Sequence, residues 1–241
     1  MILHNEPSYK ICFGDKKDCC VKSYHKFKLV DAPKEVFEDI LKTSRADKLV
    51  FSKQEHSNHG LCLKDESEIP DNLTLFKTTG DYLITSLRHV AIGVFTADCL
   101  SIVFYDPVKN VVGIAHGGWK GLVAGIISNV IQDFQDNFNS KPSDIVIYFG
   151  PSAKVCCYQV ADDFSKNLEK YSFFEQTIFK KENGIFFNLP LFAKLQLLQV
   201  GIKENNINQN YNDCTICGDR FFSFRRDGSL VGHQVTIVVL K

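Results

Sequence analysis

The chain carries no excess of either charge: Lys plus Arg and Asp plus Glu number 28 each among 241 residues. That balance argues against nucleic acid or an acidic membrane surface as a partner and points to small molecules. Long apolar runs are also missing. No stretch approaches the ~18 residues of a membrane span, and Met1-Ile2-Leu3-His4-Asn5-Glu6 lacks the basic and apolar regions of a secretion signal. No membrane association and a cytoplasmic location are therefore expected. With no compositional break, internal repeat or low-complexity tract, residues 1–241 are expected to form a single domain, whose 44% hydrophobic content supplies the core.

Cysteine is not scarce, but completed cysteine patterns are. Nine cysteines without a secretion signal read as reduced thiols, not as a disulfide framework. Cys214-Thr215-Ile216-Cys217 has the CxxC spacing of zinc ribbons and redox proteins, yet no second CxxC or nearby HxxxH completes a four-ligand site. Cys19-Cys20 and Cys156-Cys157 are adjacent in sequence, which makes each pair poorly placed to bond to one another or to share one ion.

Apolar runs at residues 91–95, 100–105 and 111–115 predict three consecutive strands, with a turn at Asp106-Pro107. Further strands are predicted at 48–52, 80–85, 144–149, 221–225 and 234–240, and hairpin or edge strands in the first 35 residues, which include His25-Lys26-Phe27-Lys28. A polar loop is expected at 66–72. Helical spacing predicts a helix opened by Ala32-Pro33 and carrying Val36, Phe37, Ile40 and Leu41, then helices at 122–134, 162–168 and 189–200, the last ended by Gly201. Alternating strands and helices make the fold class α/β or α+β.

Three polar clusters follow or interrupt these apolar strands: residues 54–59, Asp98-Cys99, and residues 116–121. A cysteine with two histidines suits zinc or copper with one position open. The same residues leave open a Cys99 nucleophile with His116 as base. Each also has an ordinary structural use, as a core thiol or a histidine satisfied in a loop.

Seven blocks occur in the order of one known family. They are Lys53-Gln54-Glu55-His56-Ser57, Gly80-Asp81-Tyr82-Leu83-Ile84-Thr85, Thr96-Ala97-Asp98-Cys99, Ala115-His116-Gly117-Gly118-Trp119-Lys120-Gly121, Gly150-Pro151-Ser152, Cys157-Tyr158-Gln159-Val160 and Phe222-Ser223-Phe224-Arg225-Arg226-Asp227. From about Asp47 onward the chain resembles the laccase-domain, or polyphenol oxidase-like, family of purine nucleoside phosphorylases, which includes a peptidoglycan editing branch. The resemblance implies layered β-sheets with helices outside, in a single domain like that of toxin deamidases. It implies that His56, Cys99 and His116 bind one zinc ion, or copper, and it assigns no role to His59.

The activity implied is phosphorolysis of adenosine, inosine, guanosine and methylthioadenosine, with adenosine deamination beside it. Purine nucleosides and phosphate are then the partners, and the chain is expected to be a monomer or homodimer. Zinc would activate water for attack on the purine carbon in deamination. Phosphate would be held by backbone N–H groups of residues 117–121 with Lys120 or Arg225. Gln54 is placed with the substrate-binding residues, and Asp98 is expected to orient a ligand histidine or accept a proton. Lys120 stands where the family carries arginine, keeping the charge but losing the bidentate fork. Two other activities stay open: copper-dependent phenol oxidation, and amidase action on a peptidoglycan precursor through Cys99 and His116.

Overall fold

A computed structural model of the protein describes residues 1–18, 20–21, 34–69, 71–228 and 232–241. Cys19, the His25-Lys26-Phe27-Lys28 run and the Ala32-Pro33 helix opening lie outside the described residues. In chain order the strands are β1 (Ile2–Asn5), β2 (Tyr9–Phe13), β3 (Cys20–Val21), β4 (Lys48–Lys53), β5 (Leu61–Leu63), β6 (Leu73–Thr79), β7 (Tyr82–Thr85) and β8 (Val90–Thr96). They continue with β9 (Leu100–Asp106), β10 (Val111–Gly117), β11 (Val146–Phe149), β12 (Gln159–Val160), β13 (Ile178–Lys181), β14 (Gly184–Phe187), β15 (Ile207–Asn208) and β16 (His233–Leu240). The helices are α1 (Lys34–Ser44), α2 (Trp119–Ala124), α3 (Ile126–Phe138), α4 (Leu189–Gln199) and α5 (Phe224–Asp227).

Every residue of β8, β9 and β10 is buried, which is why these strands read as continuous apolar runs without a polar face. Alternate side chains feed different layers. In β9, Leu100, Ile102 and Phe104 point to the helices, whereas Val103 and Tyr105 point to the facing sheet. One sheet has the order β1-β2-β16-β8-β4-β6, with β3 paired to β16; the other has the order β15-β11-β9-β10-β7-β5. A small third sheet, β12-β14-β13, stands beside them. Parallel pairs (β4 with β6 and β8, β5 with β7) mix with antiparallel ones, so the class is mixed α/β.

The two large sheets meet through Phe13, Ile92, Val94 and Val238 on one side and Leu83, Val103, Val112 and Ile114 on the other. Helix α1 covers the outer face of the first sheet with Phe37 and Ile40. Helices α3 and α4 cover the outer face of the second, placing Phe134 and Phe192 with Phe104 in one core. Burying each such ring contributes on the order of 1.5–3 kcal/mol. The expected layered architecture with outer helices is the one found. No helix among the described residues is long and apolar enough to cross a membrane.

Several elements differ from the sequence expectation. The helix expected at 122–134 begins earlier and is two helices, because Gly125 takes a left-handed φ of 93° between α2 and α3. The helix expected at 162–168 is only a 3-10 turn, Phe164–Asn167. The strand expected at 221–225 gives way to the short helix α5, whose N-terminus is capped by Ser223 Oγ accepting from Arg226 N at 3.1 Å. Strand β6 was not legible, since Lys77, Thr78 and Thr79 at its end are exposed and break the apolar pattern.

Candidate functional site

The chain passes from the first large sheet to the second through the turn between β8 and β9, and this turn presents Cys99. Asp98 takes a positive φ of 89°, a conformation that its short polar side chain tolerates when held. It is held: its carboxylate accepts from Thr215 Oγ1 at 2.6 Å, Ser223 Oγ at 3.0 Å and Arg225 N at 2.7 Å. None of these partners of Asp98 is a ligand histidine. Its acceptors are committed to shaping the turn beside Cys99.

The carboxylate that orients histidine belongs to Asp81, which is fully buried at the entry to β7. Asp81 Oδ1 lies 2.8 Å from His116 Nδ1. The same carboxylate accepts from Glu55 N at 3.1 Å, His56 N at 3.0 Å, Ser57 N at 2.7 Å and Ser57 Oγ at 2.6 Å. One anion thus anchors His116 through its ring and His56 through the backbone, which at His56 is left-handed with φ 58°. Sequence reasoning missed this role. The available signal was an acidic residue placed immediately before an apolar strand, in the Gly80-Asp81-Tyr82 block.

With Nδ1 engaged, His116 turns Nε2 toward Cys99 and His56. Cys99 Sγ is 3.8 Å from His56 Nε2, and the two imidazole rings are 4.7 Å apart, centroid to centroid, edge to face. One donor atom from each of His56, Cys99 and His116 lies within 4.8 Å of the others, close enough to share one ion. His56 is exposed, Cys99 half-buried and His116 buried, so the cluster reaches the surface at His56.

Charge within the cluster is tightly coupled. Burial pushes the Cys99 thiol up, but His116 and His56 outweigh it and bring it down to about 6. Burial likewise pushes His116 down, while the Cys99 charge and the Asp81 hydrogen bond raise it to about 10. Both shifts draw the proton from Cys99 toward His116. The geometry serves two chemistries: three donors for one zinc ion, or a thiolate with an acid–base partner.

Gly118 makes this approach possible. A Cβ there would lie 2.8 Å from His56 Cδ2 and 3.2 Å from Cys99 Sγ. Its φ of −68° suits any residue, so the requirement is for space and not for backbone freedom. Gly118→Ala is expected to displace the ring or the thiol at a cost of about 1–3 kcal/mol. Zinc competition against a chelator would read this as roughly tenfold weaker uptake, with the melting temperature of the metal-free protein lowered by a few degrees.

The other expected residues separate. Gln54 is half-buried and spent on the backbone: its Nε2 donates to Phe95 O at 2.9 Å and its Oε1 accepts from Phe95 N at 2.8 Å. It pins the strand end that leads to Cys99. Arg225 Nη1 donates to Gln159 O at 2.9 Å, and its guanidinium lies 5.2 Å from the Tyr158 ring centroid. The Arg225 side chain is exposed, with further N–H groups facing outward. Lys120 is exposed on the first turn of α2, its ammonium 5.9 Å from the Trp119 ring. His59 is exposed and joins the site through its backbone, its carbonyl accepting from Asp81 N at 2.8 Å.

Residues 19–241 match the model of the family described as multi-copper polyphenol oxidoreductase laccase. The chain belongs to this family. It is 31% identical over 198 residues to a purine nucleoside phosphorylase of Clostridium acetobutylicum, spanning 79% of this chain and 76% of that protein. It is 32% identical over 194 residues to a purine nucleoside phosphorylase of Aquifex aeolicus, spanning 80% of this chain and 84% of that one. In structure it is similar to the Bacillus licheniformis hypothetical protein YfiH, with TM-score 0.83 and 25% identity over 97% of this chain and 93% of that one. The laccase-domain resemblance carried by the TADC and AHxGW blocks is thus family membership.

Proposed function

We propose that this laccase-family chain is a zinc-dependent purine nucleoside phosphorylase. Its substrates are adenosine, inosine, guanosine or methylthioadenosine with phosphate, its products a free base and a pentose 1-phosphate, and adenosine deamination accompanies it. The activity is the one named for the Clostridium and Aquifex relatives. The observation that carries the site is the Asp81 carboxylate, which holds His116 and the His56 backbone at once.

Two imidazole nitrogens and a thiolate fit zinc, and copper less selectively. His56, Cys99 and His116 would hold the ion, which when bound supplies Lewis acidity and a water ionisable near neutral pH. Asp81 fixes the tautomer and direction of His116. In phosphorolysis a phosphate oxygen bonds to the anomeric carbon as the glycosidic C–N bond breaks. The bonding pair leaves with the purine, which must also gain a proton. Arg225, with outward N–H groups at the side of the cluster, is the favoured phosphate partner, and Lys120 the second.

Arg225→Ala is expected to raise the KM for phosphate about 10- to 100-fold, the cost of losing a hydrogen bond to a charged group. The backbone N–H of residue 225 still holds Asp98 in that variant, so the Cys99 turn survives. Lys120→Ala is expected to do less. Initial rates against phosphate concentration check both, and an unchanged KM in both variants would place the anion site elsewhere.

A second reading uses the same side chains without metal: Cys99 as nucleophile and His116 as acid–base partner in an amidase acting on a peptidoglycan precursor. Cys99 and His116 donor atoms within 4.8 Å of one another, with His116 oriented by Asp81, favour it. Copper-dependent phenol oxidation fits least, because this cluster offers three donors, too few for a four-copper centre. Hypoxanthine release from inosine, measured with and without phosphate on protein of known zinc content, separates the readings. Release that needs both phosphate and zinc supports the phosphorylase. Amide cleavage by zinc-stripped protein, with no nucleoside turnover, supports the amidase.

A further inference from the structure

The CxxC left incomplete by the sequence is completed by the fold. Cys156 and Cys157 lie in a tight turn at residues 155–157, just before β12, and this turn meets the loop carrying Cys214 and Cys217. Cys217 Sγ is 3.3 Å from Cys156 Sγ and 3.1 Å from Cys157 Sγ, and all four sulfurs lie within 4.8 Å of one another. The expectation that adjacent cysteines cannot share an ion holds for an extended strand, where successive side chains diverge. In this turn both point to the same place.

We propose that Cys156, Cys157, Cys214 and Cys217 form a second metal site, a tetrathiolate that holds one zinc ion apart from His56, Cys99 and His116. Zn–S bonds of about 2.3 Å in a tetrahedron set sulfurs about 3.8 Å apart, between the shortest and longest separations found, so small side-chain rotations suffice. Cys156 and Cys217 are exposed and the other two half-buried, which leaves the ion a way in. A cation stands beside the cluster, Lys181 Nζ donating to Val155 O at 2.9 Å and to Cys156 O at 3.3 Å.

Both turns are held independently of any metal. Ser152 pairs with Cys214 in a parallel bridge, with Thr215 N donating to Ser152 O at 3.0 Å. Arg226 Nη1 donates to Thr215 O at 2.9 Å, on the backbone between the two cysteines of the CxxC. The donors are therefore pre-placed, and the ion has little chain ordering to offset. Its role is structural. It ties together the loop whose Thr215 holds Asp98 next to Cys99 and the turn that leads to Tyr158 under Arg225.

Cobalt(II) spectroscopy on Cys99→Ala protein, fully reduced with a phosphine and stripped of metal, tests this directly. That variant has no thiolate at the first site, so a sulfur-to-cobalt charge-transfer band that disappears on adding Cys217→Ser reports the four-cysteine cluster. The expected result is such a band with tetrahedral d–d absorption, saturating at one equivalent, displaced by zinc and lost when Cys217→Ser is added. Zinc content follows the same arithmetic: two equivalents in the unmodified chain, one in Cys99→Ala, one in Cys156→Ser or Cys217→Ser. Absence of a thiolate band in reduced Cys99→Ala, or zinc content indifferent to both serine variants, would overturn the proposal. Because absence of the band in Cys99→Ala is read with no change among the four cysteines, a serine variant that misfolds leaves that arm of the test intact. Failure here leaves the phosphorylase assay unaffected, since that assay depends on Cys99.

Discussion

Cys99→Ala is expected to lose phosphate-dependent release of hypoxanthine from inosine, and one equivalent of zinc with it. Cys99 is the one anionic donor of its cluster, since His56 and His116 are the other two. Two imidazoles without the thiolate make a poor zinc site at neutral pH. The expected fall in kcat/KM is about a thousandfold or more, roughly 4 kcal/mol of transition-state stabilisation. The fold should survive, because the turn at Cys99 is held by the Asp98 carboxylate and by Ala153 N donating to Asp98 O at 2.8 Å. Steady-state kinetics with zinc quantified on the same preparation provide the check. Retained phosphorolysis in a folded, zinc-poor variant would remove this cluster from the reaction.

Asp81→Asn is the second large effect, and it acts on stability as well as on metal. The carboxylate receives five donors: three backbone N–H groups, the Ser57 hydroxyl and His116 Nδ1. An amide replaces one accepting oxygen with an NH2 group that meets these donors head-on, in a site with no access to water. Leaving His116 and several N–H groups unpaired should cost about 3–5 kcal/mol, and zinc affinity should fall about 10- to 100-fold.

A pH signature separates the electrostatic part of that loss. Burial alone would raise the Asp81 carboxyl; the bonds from His116 and Ser57 outweigh it and hold it well below the usual carboxylate range. A depressed folded value means the stabilisation is present in full above the unfolded value of about 3.9 and drains as the pH falls below it. Chemical denaturation of metal-free protein across that acid range should show a shallower loss of stability for Asp81→Asn than for the unmodified chain. Equal slopes would mean that Asp81 is not ionised in the fold.

Legibility in the sequence followed burial. Strands β8, β9 and β10 are covered on both faces by the facing sheet and by α1 or α3, so their apolar runs could be read directly. Strand β6 ends in exposed Lys77, Thr78 and Thr79, and no local pattern distinguishes it from a loop. The break between α2 and α3 was written in Gly125, but a glycine inside an apolar helical pattern declares itself only when its φ is known.

Cys99 and His116 stood out in the sequence at the ends of apolar runs, the family resemblance of the blocks added His56, and side-chain chemistry limits what two imidazoles and a thiol can hold. Composition set the absence of charge bias and of long apolar runs, since these are sums over residues. What holds the three together was decided only in three dimensions. Asp81 binds a histidine 35 residues away, Asp98 is spent on Thr215 and Ser223 more than a hundred residues away, and Gln54 is spent on Phe95. Hydrogen-bond partners of buried carboxylates and amides are set by which loops the sheets bring into contact, and sequence separation carries no trace of that. The four cysteines make the same point: two adjacent residues and a CxxC some 60 positions apart become one cluster because the turn after β11 folds against the loop before α5.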